Sequence, residues 1–275
     1  TVVFVLVKIE TSSPMFSFSF IHLIIAKRGR ESAEHADRIL EEMTAPKDIF
    51  TYSVAISAWG RSGMRSHAVV RAEQLLRELE ETPELESNTA VLNSVMLAWA
   101  NSKHPATVNR TTELLEFMER SDEAPADLFT YNTYLRGLSM HSHNVHKNAE
   151  TALDVLTSLE ERYKQGEIKF RPNLFSYNVV IEAFCRSQSS EAPWDAAKLL
   201  RAFMNSDTKF KPNTISFNQV FTALSRSTKP GSTQLAEYLL DYMEIAHKNG
   251  IFKNAKSDVV SYTSIIVALA RSGES

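Results

Sequence analysis

Seven short polar side chains recur along the chain, and each directly follows an aromatic or aliphatic residue. They are Ser19, Ser53, Asn93, Asn132, Asn178, Asn218 and Thr263. Hydroxyls and amides of this length hold hydrogen-bond donors and acceptors in a fixed place, so a row of them could recognise a ligand with matching groups. Successive members are 34, 40, 39, 46, 40 and 45 residues apart. A period in this range is typical of a solenoid built from repeated units.

Each polar residue lies in a segment with the periodicity of an α-helix. In the second copy, the apolar residues within 52–59 fall at offsets 0, 3, 4 and 7, which places them on one helical face. A second landmark follows roughly 17 to 20 residues later, and within 72–79 it repeats these offsets with a small residue, paired leucines and a third leucine. Each unit is therefore predicted to be a helical hairpin that buries its apolar faces against its neighbours.

The landmarks divide the chain into an array of stacked units. We predict an uncertain lead-in at 1–14, then units 1 to 6 at 15–48, 49–88, 89–127, 128–173, 174–213 and 214–258, and a partial unit 7 at 259–275. Closing tracts such as PKD, PAD, RPN and KPN separate consecutive hairpins, because the residue before a proline disfavours helix. The predicted fold class is all-α, an α-solenoid of helix-turn-helix hairpins.

Composition excludes several classes of protein. The single cysteine, Cys185, cannot form an internal disulfide or a cysteine-based zinc site by itself. A net charge of -3 argues against a generally basic surface, so any nucleic-acid surface must arise from the distribution of charges. No apolar run approaches the length of about 18 residues that a membrane span requires.

The two landmarks and the closing proline together resemble the pentatricopeptide repeat family. Its units share an aromatic followed by Asn, Ser or Thr, then AxxLLxxM, then Pro with Asp or Asn, and the likeness covers about 15–275. The family repeat is typically about 35 residues, shorter than several units here. The tetratricopeptide repeat, a related peptide-binding hairpin, has the pattern W-x2-L-G-x2-Y, which no unit here contains.

The resemblance implies a right-handed superhelix that binds single-stranded RNA with one base per unit. In the family, a recognition pair consists of the small polar residue after the aromatic and the last residue of the same unit. The pairs here are Ser19 with Asp48, Ser53 with Asn88, Asn93 with Asp127, Asn132 with Asn173, Asn178 with Asn213, and Asn218 with Asp258, while Thr263 lacks its partner. The family correspondence then predicts the preference 5′-G-A-U-Y-Y-U-3′, where Y is a pyrimidine. The alternative is that these small polar residues only cap turns or line a solvated groove.

Two further sets of positions carry implied roles in the family resemblance. Residues three before the recognition residue would stack on the base, and here they are Phe16, Phe50, Phe129, Phe175, Ile215 and Val260, with the weak Ala90 in unit 3. Residues eight after it include the candidate phosphate-binding cations Lys27, Arg61, Arg186, Arg226 and Arg271. The first set could instead be ordinary core residues, and the second could simply favour helix C-termini.

No enzymatic motif is apparent in the sequence. His141, His143 and His146 lie close together, but without an acidic or thiol partner nearby a solvated loop is the favoured interpretation. No P-loop, G-x-S-x-G or H-E-x-x-H string occurs. We therefore predict no catalytic activity, no cofactor and no metal site.

The resemblance implies a role in organellar RNA processing, stability, editing or translation, in a mitochondrion or plastid. Single-stranded RNA is the expected partner, and other RNA-processing proteins are compatible with that role. A helical-repeat scaffold that binds protein or peptide partners without RNA is the alternative. The sequence begins without methionine and ends within a hairpin, so we expect it to be part of a longer chain.

Overall fold

The computed structural model describes residues 29–140 and 145–272, which contain helices and no β-strand. The helices are α1 (Arg30–Glu42), α2 (Ile49–Arg61), α3 (Arg65–Glu80), α4 (Thr89–Ser102), α5 (Thr107–Arg120), α6 (Leu128–Met140), α7 (Val145–Lys164), α8 (Leu174–Arg186), α9 (Ala192–Asn205), α10 (Thr214–Arg226), α11 (Ser232–Lys248) and α12 (Val259–Ser272). Among the described residues, none of these helices combines the length and apolar character needed to cross a membrane. The chain is an all-α helical-repeat solenoid, as the sequence predicts.

The helices form two layers that alternate along the chain. We call α2, α4, α6, α8, α10 and α12 the inner helices, since each begins a unit, and α1, α3, α5, α7, α9 and α11 the outer helices. Each described inner helix packs on the next one, and each outer helix from α3 to α11 packs against the inner helices on either side of it along the chain, while α1 packs against α2. The inner helices therefore form one stacked layer along the array.

One continuous core fills the space between the layers. Most apolar residues of the inner landmark are buried, for example Tyr52 and Ile56 on α2, although Tyr262 on α12 is exposed. So are most residues of the outer landmark, for example Leu75 and Leu79 on α3. Fully burying a leucine or isoleucine contributes about 1.5 to 3 kcal/mol. Neither helix of a hairpin could bury this surface alone, so packing between units holds the array together.

The inner helices α2 and α4 approach one another closely at Gly60. A Cβ atom placed there would lie 3.3 Å from both the Ala98 nitrogen and the Ser94 carbonyl oxygen of α4. The outer helices are more widely separated, because a cavity of about 530 Å³ opens between α7 and α9 and reaches Tyr177 and Phe184 on α8.

Candidate nucleic-acid interface

The described recognition residues occupy the same turn of successive inner helices. Ser53, Asn93, Asn132, Asn178, Asn218 and Thr263 are each the fifth residue of α2, α4, α6, α8, α10 and α12, respectively. Because these helices stack side by side, equal positions along them give one row of side chains. Ser19 lies outside the described residues.

The six closing residues cap the next inner helix. The side-chain Oδ1 atoms of Asp48, Asn88, Asp127, Asn173, Asn213 and Asp258 accept hydrogen bonds from a backbone N–H three residues later, at 2.8, 3.1, 2.8, 3.1, 3.1 and 3.0 Å. These residue types are the favoured N-caps because their short side chains reach an otherwise unpaired backbone donor. The closing residues therefore act as helix N-caps, and whether they only cap, as the alternative holds, depends on their contacts with a ligand.

The same closing residues also contact the recognition residues. The amide Nδ2 donates to the partner Oδ1 at 3.2 Å for Asn93 and Asp127, 3.4 Å for Asn178 and Asn213, and 2.9 Å for Asn218 and Asp258. Asn132 and Asn173 meet through the Ser176 hydroxyl, which lies within hydrogen-bonding distance of both side chains. Ser53 and Asn88, both described, are not joined by a hydrogen bond.

The Asp258 carboxylate is held in its charged form by these contacts. Hydrogen bonds from the Ser261 backbone N–H and then from the Asn218 amide lower the pKa of Asp258 below its usual range. Both donors favour the ionised carboxylate because they point towards its negative charge. Asp258 therefore remains a hydrogen-bond acceptor at neutral pH.

The candidate stacking side chains are exposed. The exposed fractions of Phe50, Phe129, Phe175, Ile215 and Val260 are 45%, 49%, 44%, 57% and 51%. The alternative that these are ordinary core residues is therefore wrong for all five. Phe16 lies outside the described residues. Exposed aromatic rings beside polar recognition groups are the arrangement that single-stranded nucleic-acid sites use.

A cavity of about 400 Å³ lies at the recognition pair of unit 5. It is lined by the predicted residues Phe175, Asn178 and Asn213, and also by Asn173, Leu174 and Phe210. Phe210 is a residue that the sequence analysis missed. Its signal was the repeated aromatic three residues before the closing asparagine, in KFRPN and KFKPN. The equivalent Phe170 instead packs against Tyr131, with ring centroids 5.8 Å apart.

The comparisons with known proteins concern the fold. Neither a protein-family model nor a curated protein matches the chain. Two solved structures of the pentatricopeptide repeat protein PPR10 in complex with an 18-nt psaJ RNA element, one of them carrying three cysteine-to-serine substitutions, match with 23% identity and a TM-score of 0.54. The match covers 88% of this chain and 30% of PPR10, so the chain spans less than a third of that protein. A structure of PPR10 from maize matches at 15% identity and a TM-score of 0.48 over 93% of this chain and 36% of the other.

The chain has the fold of the pentatricopeptide repeat proteins. Sequence identity of 23% establishes shared architecture and no more. Within this pentatricopeptide-repeat fold, the stacked inner helices carry the row of polar residues described above.

The candidate phosphate-binding cations lie at the ends of the inner helices, where several contact the preceding unit. A guanidinium nitrogen of Arg226 donates to the Cys185 carbonyl at 3.1 Å, and one of Arg271 donates to the Ser225 carbonyl at 3.1 Å. Arg186 forms an ion pair with Glu182, at 2.8 Å between Nη1 and Oε1. Arg226 and Arg271 therefore interact with carbonyl groups near a helix C-terminus, as the alternative interpretation suggests. The helix that each arginine contacts belongs to the preceding unit. Arg61 is exposed, and Lys27 lies outside the described residues.

The outer surface has a different character. Three acidic side chains, Glu150, Glu160 and Asp195, line the cavity between α7 and α9, with Lys198 as its one cation among the lining residues. A negative surface repels the phosphate backbone of a nucleic acid. This larger cavity is therefore a poorer candidate for RNA than the smaller one at Asn178 and Asn213.

No group of three or more His, Cys, Asp or Glu side chains able to hold a metal ion occurs within residues 29–140 and 145–272. His141 and His143 lie outside those ranges. His146 lies at 3.4 Å from Glu150, measured between Nε2 and Oε1, on the exposed surface of α7.

Proposed function

We propose that the chain binds single-stranded RNA along its inner helices, with one base per unit and the preference 5′-G-A-U-Y-Y-U-3′ for units 1 to 6. The observation that carries this proposal is the row of fifth-position side chains, four of them linked to the closing residue of their own unit. The fold shared with PPR10, which was solved with an RNA element, supports the same conclusion.

Each complete pocket would use three kinds of contact. The exposed apolar residue stacks on the base, as Phe175 would in unit 5, and such stacking contributes about 1 to 3 kcal/mol per base. The recognition pair forms hydrogen bonds with the edge of that base. Cations near the inner helix ends, such as Arg61, contact phosphate and add an affinity that falls with salt. A site of this kind requires no positive net charge.

The biological role follows from the resemblance and is part of the proposal. We infer that the chain acts in organellar RNA processing, stability, editing or translation, in a mitochondrion or plastid, without catalysing a reaction itself. Other RNA-processing proteins would then act on the bound transcript. The units at 15–48 to 259–275 would each correspond to one nucleotide, with unit 7 incomplete in this sequence.

A gel-shift titration tests the proposal. The labelled RNA carries 5′-GAUUUU-3′, and the control is a scrambled oligomer of the same composition. We expect tighter binding to the first RNA, since only that order matches each pair with its base. Equal affinity for the two RNAs, or no binding to either, would contradict the proposal and favour a protein-binding scaffold.

A further inference from the structure

Four buried hydroxyls join each recognition asparagine to the following unit. Thr130, Ser176, Ser216 and Ser261 are each the third residue of an inner helix, and all four are fully buried. Their hydroxyls donate to the Oδ1 atoms of Asn93, Asn132, Asn178 and Asn218 at 2.7, 2.6, 2.6 and 2.7 Å. The same geometry therefore recurs wherever a described recognition residue is an asparagine.

Unit 5 shows how the surrounding bonds fix the asparagine. The Ser216 backbone N–H donates to Asn213 Oδ1 at 3.1 Å, which establishes that oxygen as an acceptor. Asn178 Nδ2 donates to the same oxygen at 3.4 Å, and the Ser216 hydroxyl donates to Asn178 Oδ1 at 2.6 Å. Both ends of the Asn178 amide thus have a partner of the right kind.

Flipping this amide would bring two acceptor oxygens together and redirect the Ser216 hydroxyl. Asn178 Oδ1 would then face the acceptor oxygen of Asn213. Its Nδ2 would face the Ser216 hydroxyl, which accepts from the Asn213 backbone N–H at 3.1 Å and would then have to donate to Asn213 Oδ1, 3.0 Å away, instead of to Asn178. The orientation of an asparagine amide is assigned from such a network, and here every member agrees. One N–H of Nδ2 is left over once these bonds are formed.

We propose that Thr130, Ser176, Ser216 and Ser261 are positioning residues that fix the amide orientation of the recognition asparagine of the preceding unit, so that it meets a base as a hydrogen-bond donor through Nδ2. The proposal rests on the RNA-binding function proposed above. With Oδ1 bound to the hydroxyl, the asparagine offers a base the second N–H of its amide. A donor suits the carbonyl oxygens that both pyrimidines carry at their edges.

Unit 2 provides a natural contrast. Its recognition residue is Ser53, and the third residue of the next inner helix is Val91, which has no hydroxyl. A serine hydroxyl can rotate to donate or accept, so it has no amide orientation to be fixed. The hydroxyl is therefore present at the four described asparagine units and missing after Ser53. The unit that follows Ser19 does carry one, Thr51, whose hydroxyl donates to Asp48, so a hydroxyl at this position accompanies asparagine without being confined to it.

The first experiment exploits the fact that Ser216 belongs to unit 6 but contacts Asn178 of unit 5. Affinities of the Ser216→Ala and Ser216→Thr variants are measured for RNAs that carry U or A at the fifth or the sixth nucleotide. In Ser216→Ala we expect the preference for U to fall about threefold to tenfold at the fifth nucleotide and to be unchanged at the sixth. Ser216→Thr retains the hydroxyl and the preference.

The second experiment introduces the pairing of a recognition asparagine with a hydroxyl at unit 2, using Val91 from the following inner helix. Ser53→Asn alone and Ser53→Asn combined with Val91→Thr are compared for their preference at the second nucleotide. We expect the double variant to prefer a pyrimidine there about threefold to tenfold more strongly than the single variant. Exchange of the Asn178 side-chain amide protons, followed by NMR, should also be faster in Ser216→Ala than in the unaltered chain.

Three results would overturn the proposal. One is an unchanged fifth-position preference in Ser216→Ala, and another is an equal fall at the fifth and sixth positions, as general destabilisation would produce. The third is equal behaviour of the two unit 2 variants. If the unaltered chain shows no base preference at all, the RNA-binding function fails as well, so the two failures are distinguishable.

Discussion

At the scale of single residues, Asp127 Oδ1 accepts hydrogen bonds from the Thr130 backbone N–H and from the Asn93 amide. Replacing such a residue with alanine would remove a helix cap, at about 0.5 to 2 kcal/mol, together with any contact to a base. Loss of binding would then have two explanations. Substituting Asn for Asp, or Asp for Asn, at a closing residue is the better test, because both residue types are good N-caps.

Asn213→Asp is the matching prediction for unit 5. The correspondence assigns a pyrimidine to Asn with Asn and uridine to Asn with Asp, so we expect the fifth-position preference to narrow from either pyrimidine to U. The unfolding midpoint should change little, since the cap is kept. Competition binding with U or C at the fifth nucleotide measures the change. An unaltered U-to-C ratio would argue that Asn213 caps α10 without contacting the base.

Phe175→Ala tests the stacking contact, and Phe117→Ala is its matched control. Both phenylalanines are about half exposed, but Phe175 lines the unit 5 cavity and Phe117 lies on the outer helix α5. Loss of a stacked ring should weaken RNA binding by about 1 to 3 kcal/mol in Phe175→Ala and leave Phe117→Ala unchanged. Surface substitutions of this kind should alter the free energy of unfolding by only about 0.5 kcal/mol. Similar affinities for the two variants would rule out stacking on Phe175.

At the scale of helices, the close packing of α2 on α4 sets the spacing between neighbouring recognition residues. Gly60 meets backbone atoms of α4 at 3.3 Å, which a side chain could displace only by moving the helix. Gly137 on α6 is buried too, but a Cβ atom there would make ordinary contacts, the nearest at 3.6 Å to the Thr111 hydroxyl. The two glycines therefore differ in what surrounds them.

We expect Gly137→Ala to raise the free energy of unfolding by up to about 1 kcal/mol, because alanine is the better helix former. Gly60→Ala should lower it, since the gain in helix propensity is outweighed by the contact with the α4 backbone. Chemical denaturation of the two variants and the unaltered chain measures both changes. Equal stabilisation by both substitutions would show that the approach of α2 to α4 is not restrictive.

Arg61→Gln, with Arg120→Gln as its control, tests whether an inner helix end contacts phosphate. Both arginines lie in the last turn of a helix, Arg61 on inner α2 and Arg120 on outer α5. Loss of one phosphate contact should reduce the slope of log affinity against log salt by about 0.7 in Arg61→Gln only. If the affinities of the two variants depended on salt with the same slope, Arg61 would not be a phosphate contact. Arg226→Gln would be less informative, because its bond to the Cys185 carbonyl is lost as well.

At the scale of the whole molecule, the sequence predicts the fold well because the apolar period of every helix is clear. It also predicts that the recognition residues share one position, since their spacing follows the unit. Contacts that depend on the packing of one unit on the next were not predictable, such as the Ser216 hydroxyl on Asn178 or Arg226 on Cys185. Nor was the different placement of Phe170 and Phe210, which have nearly the same neighbours in sequence.

The array also predicts that a change in one unit alters recognition at one nucleotide. Within residues 29–140 and 145–272, the helices that pack together extensively belong to the same unit or to neighbouring units, and the recognition pairs lie on successive inner helices. An interface formed by one irregular patch would instead respond to a substitution with a general loss of affinity. The position of the effect along the RNA is therefore more informative than its size.

The most direct test of this account is the base preference of Asn93→Ser at the third nucleotide. The pair Asn93 with Asp127 should prefer U, and serine with Asp127 should prefer G, by the family correspondence. Affinities are measured for four RNAs that differ only at that nucleotide. We predict that the unaltered chain binds the U-containing RNA about threefold to tenfold more tightly than the G-containing one, and that Asn93→Ser reverses this order. If Asn93→Ser kept its preference for U, or altered preference at other nucleotides equally, recognition of one base by each unit would be contradicted.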